Sequence, residues 1–483
     1  MTALPELESY IAGEWRRGPV DTADINPAQP GTHVARVHLA DTALAVSAID
    51  AAASAAHEWR TADPVARGDI LRAAGDLLDA RADDIARDLS REEGKTFAES
   101  KREVQLAARV MRYYAVQALD PSGDTYPARQ PGNLVYTQRV PVGVVTAITP
   151  WNFPMSLPAW KLAAALAFGN VVVWKPAEIV PLTAVHLASA LVDAGLPAGV
   201  LNLLLGKGSE VGEVIVRHPA VDAVTFTGSN EIGRGVQSVA TREGKRVQLE
   251  LGGKNPAIVL ADADLDLAAE QISIGAFGAS GQKCTATSRV VVERAVVDPL
   301  VERIQALADG WQLGDPLDPS TTMGPLASAR QLETVVGLLD IADREGARVV
   351  AGGARPNGDL RDGYFVRPTV LVDVKPGATI AREEVFGPVV AVLPVDSFDE
   401  AIEVANDTRY GLSASVFTND LTKALRFSEA SRTGMVRVNT GTSGMEFYVP
   451  FGGTKESGFG PRELGKSARE FLTETKTVYL SHG

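Results

Sequence analysis

Between residues 142 and 251, short apolar runs alternate with longer stretches of helical periodicity. No other feature of the chain constrains its fold as much. Residues 142–149, 171–174, 200–205, 223–227 and 247–251 are apolar, β-branched or aromatic runs that read as strands. Residues 158–167, 182–194, 211–217 and 232–240 space their apolar side chains as helices do. Strands that are apolar on both faces and separated by helices predict a parallel sheet covered on both sides, the architecture of an α/β protein.

The flanking regions extend this reading. Residues 42–118 carry amphipathic helical patterns at 43–59, 70–89 and 102–114, and a turn-rich break follows at Asp120-Pro121-Ser122-Gly123-Asp124. Residues 134–139 read as a strand. A second α/β series begins near Lys254, with strands expected at 256–260, 289–292, 349–351, 366–374, 389–395, 414–418 and 435–439. Residues 473–480 alternate as a lone terminal strand, suited to adding to a sheet edge, including that of a partner subunit.

A chain of 483 residues with 45% hydrophobic residues has material for two or three domains. Its net charge of −13 argues against nucleic acid or an anionic membrane as the main partner. The start, Met1-Thr2-Ala3-Leu4-Pro5-Glu6-Leu7-Glu8, lacks the pattern of a secretory signal, and no uncharged apolar run approaches the ~18 to 20 residues of a membrane span. The expected location is cytoplasmic.

The single cysteine stands in Gly281-Gln282-Lys283-Cys284-Thr285-Ala286. A lone cysteine is ordinarily a small buried hydrophobe. In a polar segment that starts with glycine it is a candidate nucleophile. The six histidines (His33, His38, His57, His186, His218, His482) show no metal-ligand spacing, so no metal is expected. Thr149-Pro150-Trp151-Asn152-Phe153-Pro154 follows a strand and holds an asparagine between prolines. Its amide suits an oxyanion donor, against the plainer reading of a turn residue. Glu250-Leu251-Gly252-Gly253 ends a strand, where α/β proteins place ligands. Phe226-Thr227-Gly228-Ser229 opens a helix, with Ser229 as N-cap and backbone amides free for phosphate. Gly206-Lys207-Gly208-Ser209-Glu210-Val211-Gly212 misses the dinucleotide fingerprint by one residue. Lys175-Pro176-Ala177-Glu178 spaces a cation and a carboxylate to face one ligand or each other.

In this order, and together with Glu384-Val385-Phe386-Gly387-Pro388 and Pro450-Phe451-Gly452-Gly453-Thr454-Lys455, these segments resemble the NAD(P)-dependent aldehyde dehydrogenase superfamily along the whole chain. The resemblance implies a Rossmann-type cofactor domain (1–122 and 141–252), a catalytic domain (253–460) and a small β oligomerisation element (123–140 and 461–483). A homodimer or homotetramer is then expected. It also implies that Cys284 attacks an aldehyde carbonyl and that Asn152 and the Cys284 N–H hold the oxyanion. Hydride passes to the nicotinamide, and Glu250 activates the water that hydrolyses the thioester. For the cofactor it implies Lys175 and Glu178 at the adenosine ribose, Gly208, Gly228 and Ser229 along the phosphates, and Glu384 at the nicotinamide ribose. Phe386, Trp151 and Leu251 then lie about the nicotinamide. A carboxylate at 178 favours NAD over NADP, with NADP use left open by Lys175. The implied substrate walls are Phe153, Trp160, Phe277, Met445 and Phe451.

The segment from Asn439 to Gly453 resembles 2-oxoglutarate semialdehyde dehydrogenases, which suggests a short carboxylated aldehyde. Succinate-semialdehyde-type members often carry arginine eight residues after the catalytic asparagine, where this chain has Trp160. Arg109 or Arg112 is then the alternative source of positive charge, and an aromatic tunnel equally suits an aliphatic or aromatic aldehyde. A non-catalytic relative is expected to lack the nucleophile, the base or the oxyanion donor, and all three are present. A thiol hydrolase leaves the dinucleotide segments unexplained.

Overall fold

The computed structural model describes residues 4–120 and 123–481, so Pro121 and Ser122 of the expected break, and His482, lie outside the described residues. An eight-stranded sheet runs in the order Gly458–Phe459, Arg246–Glu250, Ala223–Thr227, Val144–Ile148, Val171–Lys175, Leu201–Leu203, Ser9–Ile11, Glu14–Arg16. Its five central strands are parallel. The chain steps outward from Val144–Ile148 in one direction, then returns to build the other side from Ala223–Thr227. That reversal opens a crevice at the carboxyl ends of these two neighbours, where α/β sheets bind ligands.

Helices cover this sheet. α1 (Thr42–Thr61), α2 (Pro64–Ala80), α3 (Ala82–Glu93) and α4 (Phe97–Gln117) precede it in sequence, and α5 (Ser156–Ala167), α6 (Pro181–Asp193), α7 (Gly208–Arg217) and α8 (Asn230–Arg242) alternate with its strands. Every residue of α5 is buried, as expected of a helix that is apolar nearly all round. α4 opens on a capping box between Thr96 and Glu99. The stretch 70–89 is not one helix. Arg81 leaves helical geometry at φ −103°, ψ 10°, ends α2 and starts α3, and pairs with Asp193 at 2.7 Å.

A seven-stranded sheet, parallel except at one edge, forms the second half in the order Arg348–Ala351, Thr369–Val372, Val389–Val395, Thr287–Glu293, Asn255–Val259, Ser413–Phe417, Met435–Val438. α9 (Leu265–Phe277) packs on it. Thr473–Leu480 pairs along its whole length with Leu134–Pro141, and Thr125–Tyr126 completes that three-stranded sheet. Residues 6–39, which show no clear period, supply the short strands Glu6–Leu7, Val20–Ile25 and His33–Leu39 of a fourth sheet, besides the edge of the first. Late segments return to the first core: Leu464, Phe471 and Leu472 are buried there, and Gly458–Phe459 pairs with Arg246–Glu250.

Candidate active site

The segment that carries Cys284 is held by its backbone. After α9, Ala279 and Ser280 both take left-handed φ values, 52° and 53°, a strain of roughly 1–3 kcal/mol each that only surrounding contacts can sustain. Those contacts are present. The Ala279 N–H donates to Glu99 at 2.8 Å, and the Ser280 hydroxyl to the Gly324 carbonyl at 2.8 Å. The Gln282 side chain accepts from the Ala327 N–H at 2.9 Å. Gly281 has φ 69°, and a Cβ there would lie 2.1 Å from the Gly387 carbonyl oxygen, so only glycine fits. Asn255 donates to the carbonyls of Cys284 and Ala286, at 2.8 and 2.9 Å, and Thr442 and Ser443 donate to that of Thr285.

Cys284 itself is half-buried. Burial, then the carboxyls of Glu384 and Glu250, pushes its thiol up to about 12, against backbone donation from the N–H groups of Thr285 and Cys284. Lys283, next to it in the chain, interacts with its charge. Its ammonium turns back to donate to the Ile274 carbonyl at 3.0 Å, and burial pushes it down to about 8.

Asn152 follows the Val144–Ile148 strand and is 3% exposed. Its amide nitrogen donates to the Gln282 carbonyl at 2.9 Å, which fixes the side chain against the cysteine segment. Sequence reasoning missed what fixes its backbone. The ammonium of Lys95, which is fully buried, donates to the Asn152 carbonyl at 2.7 Å and to Glu103 at 2.6 Å. It also sits 4.0 Å from the centre of the Phe153 ring. The other oxygen of Glu103 accepts from the N–H groups of Met155 and Ser156, at 2.9 and 3.1 Å, at the start of α5. One ion pair therefore joins α4, the oxyanion segment and α5.

Glu250 ends its strand 4% exposed, and among the described residues its Oε2 has no hydrogen-bond partner. Burial and then Glu463 make its carboxyl a weaker acid, pushing it well above the usual carboxylate range, opposed by Lys161 and Arg462. Behind it lies a buried polar group that the sequence did not reveal: Lys161 pairs with Glu463 and donates to Thr225 at 2.8 Å, and Thr225 donates to Gln248 at 3.0 Å. These residues and Trp160 line a cavity of about 10 Å³, the size of one water molecule. The glycines after Glu250 set its neighbours. A Cβ on Gly253 would lie 2.6 Å from the Cys284 carbonyl oxygen, and one on Gly452 would lie 2.3 Å from Glu250 Oε1.

A crevice at the carboxyl ends of the first sheet gathers the remaining polar candidates. Lys175 and Glu178 both face Gly208, where a Cβ would lie 3.7 Å from the Glu178 carboxylate and 4.0 Å from Lys175 Nζ. The Gly208 N–H donates to Glu178 at 2.6 Å. Ser229 caps α8, and Thr227 Oγ1, buried beside it in the chain, has no partner. Gly228 lies over the Phe226 ring, and Leu251 packs on Gly233 of α8. Glu384 accepts from the Gly253 N–H at 2.8 Å, and burial pushes its carboxyl up to about 7. Phe386, held at φ 53°, meets Trp151 edge to face at 5.3 Å, and Gln331 fixes that turn through the carbonyls of Val385 and Phe386. A capped helix N-terminus, a buried hydroxyl without a partner among the described residues, and two carboxylates each bound to a glycine N–H have the chemistry to meet the phosphates and ribose hydroxyls of a dinucleotide.

Half-buried apolar side chains that pack, like Cys284, against the core of the first sheet include Phe153, Met445, Phe447, and Leu106 and Tyr113 of α4. Trp160 meets Phe451 at 5.3 Å, and Phe447 meets Tyr113 at 5.6 Å. Phe277 is not among them. It is fully buried in the core of the second sheet, against Trp311 at 6.3 Å, because α9 turns that residue toward the sheet. Arg112 is also elsewhere, bound to Asp76 and Asp79 of α2 at 2.7 and 2.6 Å.

Known proteins resemble this chain in sequence and fold. The model of the aldehyde dehydrogenase family matches residues 15–478. An alpha-ketoglutarate semialdehyde dehydrogenase of Haloferax volcanii is 46% identical over 98% of this chain and 99% of its own length. An alpha-ketoglutaric semialdehyde dehydrogenase of Bacillus subtilis is 41% identical over 99% of this chain and its full length. Among solved structures, betaine aldehyde dehydrogenase of Staphylococcus aureus in complex with NAD+ superposes with a TM-score of 0.95 at 37% identity, covering 98% of this chain and 94% of that one. A family model that matches residues 15–478 and relatives above 40% identity along nearly the whole chain lead to one conclusion: this protein belongs to the aldehyde dehydrogenase family.

Proposed function

We propose that the protein oxidises a short aldehyde with a distal carboxylate, of the 2-oxoglutarate semialdehyde class, to the corresponding acid with NAD as oxidant. The convergence of Asn152, Cys284 and Glu250 carries the reaction type, since the Asn152 amide binds the cysteine segment and Gly253, just after Glu250, abuts the Cys284 carbonyl. The substrate class rests on likeness to the two semialdehyde dehydrogenases.

On this reading the Cys284 thiol gives up its proton to water, its sulfur bonds to the aldehyde carbon, and the C=O π pair moves onto oxygen. The Asn152 amide and the Cys284 N–H hold the resulting oxyanion, one such donor being worth roughly 3–4 kcal/mol. NAD, when bound, supplies the hydride acceptor that leaves a thioester on Cys284. Glu250 takes a proton from water, the hydroxide attacks the thioester carbon, and the C–S bond breaks to release the acid and restore the cysteine. Lys175, Glu178, Ser229 and Glu384 bind the cofactor in the crevice. Glu178 repels a 2′-phosphate, hence NAD over NADP. The sheet of Thr473–Leu480 and Leu134–Pro141 serves assembly into a homodimer or homotetramer.

The test is NADH formation, followed by absorbance, with 2-oxoglutarate semialdehyde, betaine aldehyde and pentanal, and Cys284→Ala as control. The semialdehyde is expected to give the highest kcat/KM. A higher value for betaine aldehyde rejects the substrate class, and equal efficiency with NADP at matched pH rejects the cofactor preference.

A further inference from the structure

Two consecutive glycines, Gly252 and Gly253, lie between the Arg246–Glu250 strand of the first sheet and the Asn255–Val259 strand of the second. Neither has a side chain to lock it, so the conformation of this bridge depends on what its N–H groups meet. The Gly253 N–H donates to Glu384 Oε1 at 2.8 Å. The other oxygen of Glu384 would lie 2.2 Å from a Cβ on Gly252. The Gly252 N–H donates to the side chain of Asn230 at 3.1 Å.

Asn230 is the first residue of α8 and is buried. Both ends of its amide are used. Oδ1 accepts from Gly252, and Nδ2 donates to the Glu456 carbonyl at 2.6 Å. Neither bond is to α8 itself, so Asn230 does not act as the helix cap, a role that Ser229 fills. The Glu456 side chain pairs with Arg234, about one turn further along α8, and with Arg409. Arg409 in turn holds Glu383, the neighbour of Glu384, at 2.6 Å. One buried amide therefore ties the start of α8 to the glycine bridge that Glu384 holds from its other side.

We infer that Asn230 is a positioning residue: it sets the Gly252–Gly253 bridge relative to the phosphate-binding end of α8, and through Gly253 it aims Glu384 at the ribose beside the nicotinamide. The adenosine end does not depend on it, because Lys175 and Glu178 face Gly208 instead. A dinucleotide bound at both ends needs the two subsites in register, and a misplaced subsite loses the affinity that its preorganisation supplied. This inference rests on the placement of NAD proposed above.

The experiment is calorimetric titration with NAD and with ADP, which lacks the nicotinamide and its ribose. It compares the parent with Asn230→Ala, Glu384→Gln and the double variant. Glutamine at 384 keeps an acceptor for the Gly253 N–H and removes only the charge. Asn230→Ala should bind NAD roughly tenfold more weakly, the effect of about one buried hydrogen bond, and ADP within about twofold of the parent. The loss should not exceed that of Glu384→Gln, and the double variant should lose less than the product of the two single losses. In turnover, KM for NAD should rise while kcat stays within about threefold. Where the alanine variant fails to fold, Asn230→Ser leaves room for a water to meet Gly252 and Glu456, and should still weaken NAD about threefold with ADP unchanged. Suppose Glu384→Gln weakens NAD. Equal losses for NAD and ADP at position 230, an unchanged NAD affinity there, or losses that multiply in the double variant then overturn the role of Asn230 alone. A Glu384→Gln enzyme that binds NAD as the parent does overturns the placement of Glu384, and the inference with it.

Discussion

Replacing Lys95 by methionine tests how the oxyanion donor is held. Methionine keeps the length of the stem and removes the charge. Breaking a buried ion pair from one side generally costs ~3–5 kcal/mol. The loss here should fall near 3, because Glu103 keeps two N–H donors from the start of α5 at 2.9 and 3.1 Å. The kinetic effect is separate. Loss of the 2.7 Å bond to its carbonyl leaves Asn152 anchored only through its amide on Gln282. Complete loss of an oxyanion donor costs ~10²–10³ in kcat, so a loosened one should cost ~10². The assay is steady-state oxidation at saturating NAD, beside urea unfolding of the same samples. The double variant Lys95→Met/Glu103→Gln removes the stranded charge. It should regain stability without regaining rate. A folded Lys95→Met enzyme whose kcat stays within threefold of the parent would refute the coupling between this ion pair and Asn152.

Glu250→Gln should leave a first turnover and stop afterwards, giving a burst of NADH equal to the enzyme and a steady rate lower by ~10²–10⁴-fold; undiminished steady turnover rules out Glu250 as the hydrolytic base. The Cys284 thiol and the Glu250 carboxyl are both raised and both act as bases, so each gains its working form as protons leave. kcat/KM should therefore climb from pH 6 to 9, and a profile falling over that range contradicts the assignment. Asp24 and Glu92 lie together in the interior, and burial raises both carboxyls. A carboxyl raised in the folded state stabilises it fully below the unfolded value near 4 and loses that contribution as pH rises through the folded one. Asp24→Asn should accordingly resist thermal unfolding better than the parent at pH 9, with the advantage shrinking toward pH 5; the opposite trend in melting temperature would show that the ionised pair is compensated.

The candidate site residues were legible where local backbone and chemistry coincide. Asn152 between prolines, Cys284 after a left-handed glycine and Glu250 before two glycines each mark a place where the chain is restrained more than folding requires. Phe277 shows the limit of that approach, since an aromatic near the nucleophile in sequence faces the opposite core once α9 forms. The buried pairs were not legible at all. Lys161 reads as an ordinary residue of an apolar helix, and its partner Glu463 is 302 positions away. Lys95 and Asn152 are 57 apart.

The sequence by itself determined the α/β class and the alternating strands of the first sheet, and it marked Cys284, Glu250 and Asn152 as candidates whose roles the family resemblance implies. The class and the strands follow from periodicity, and the candidates from side-chain chemistry within a few residues. Tertiary structure decided which charges are neutralised and which stay free. Arg109 and Arg112 lie three residues apart on one helix and look alike in sequence, yet one is bound to α2 and the other is not. Coulomb energy depends on distance and burial, and both are set by packing between segments remote in the chain.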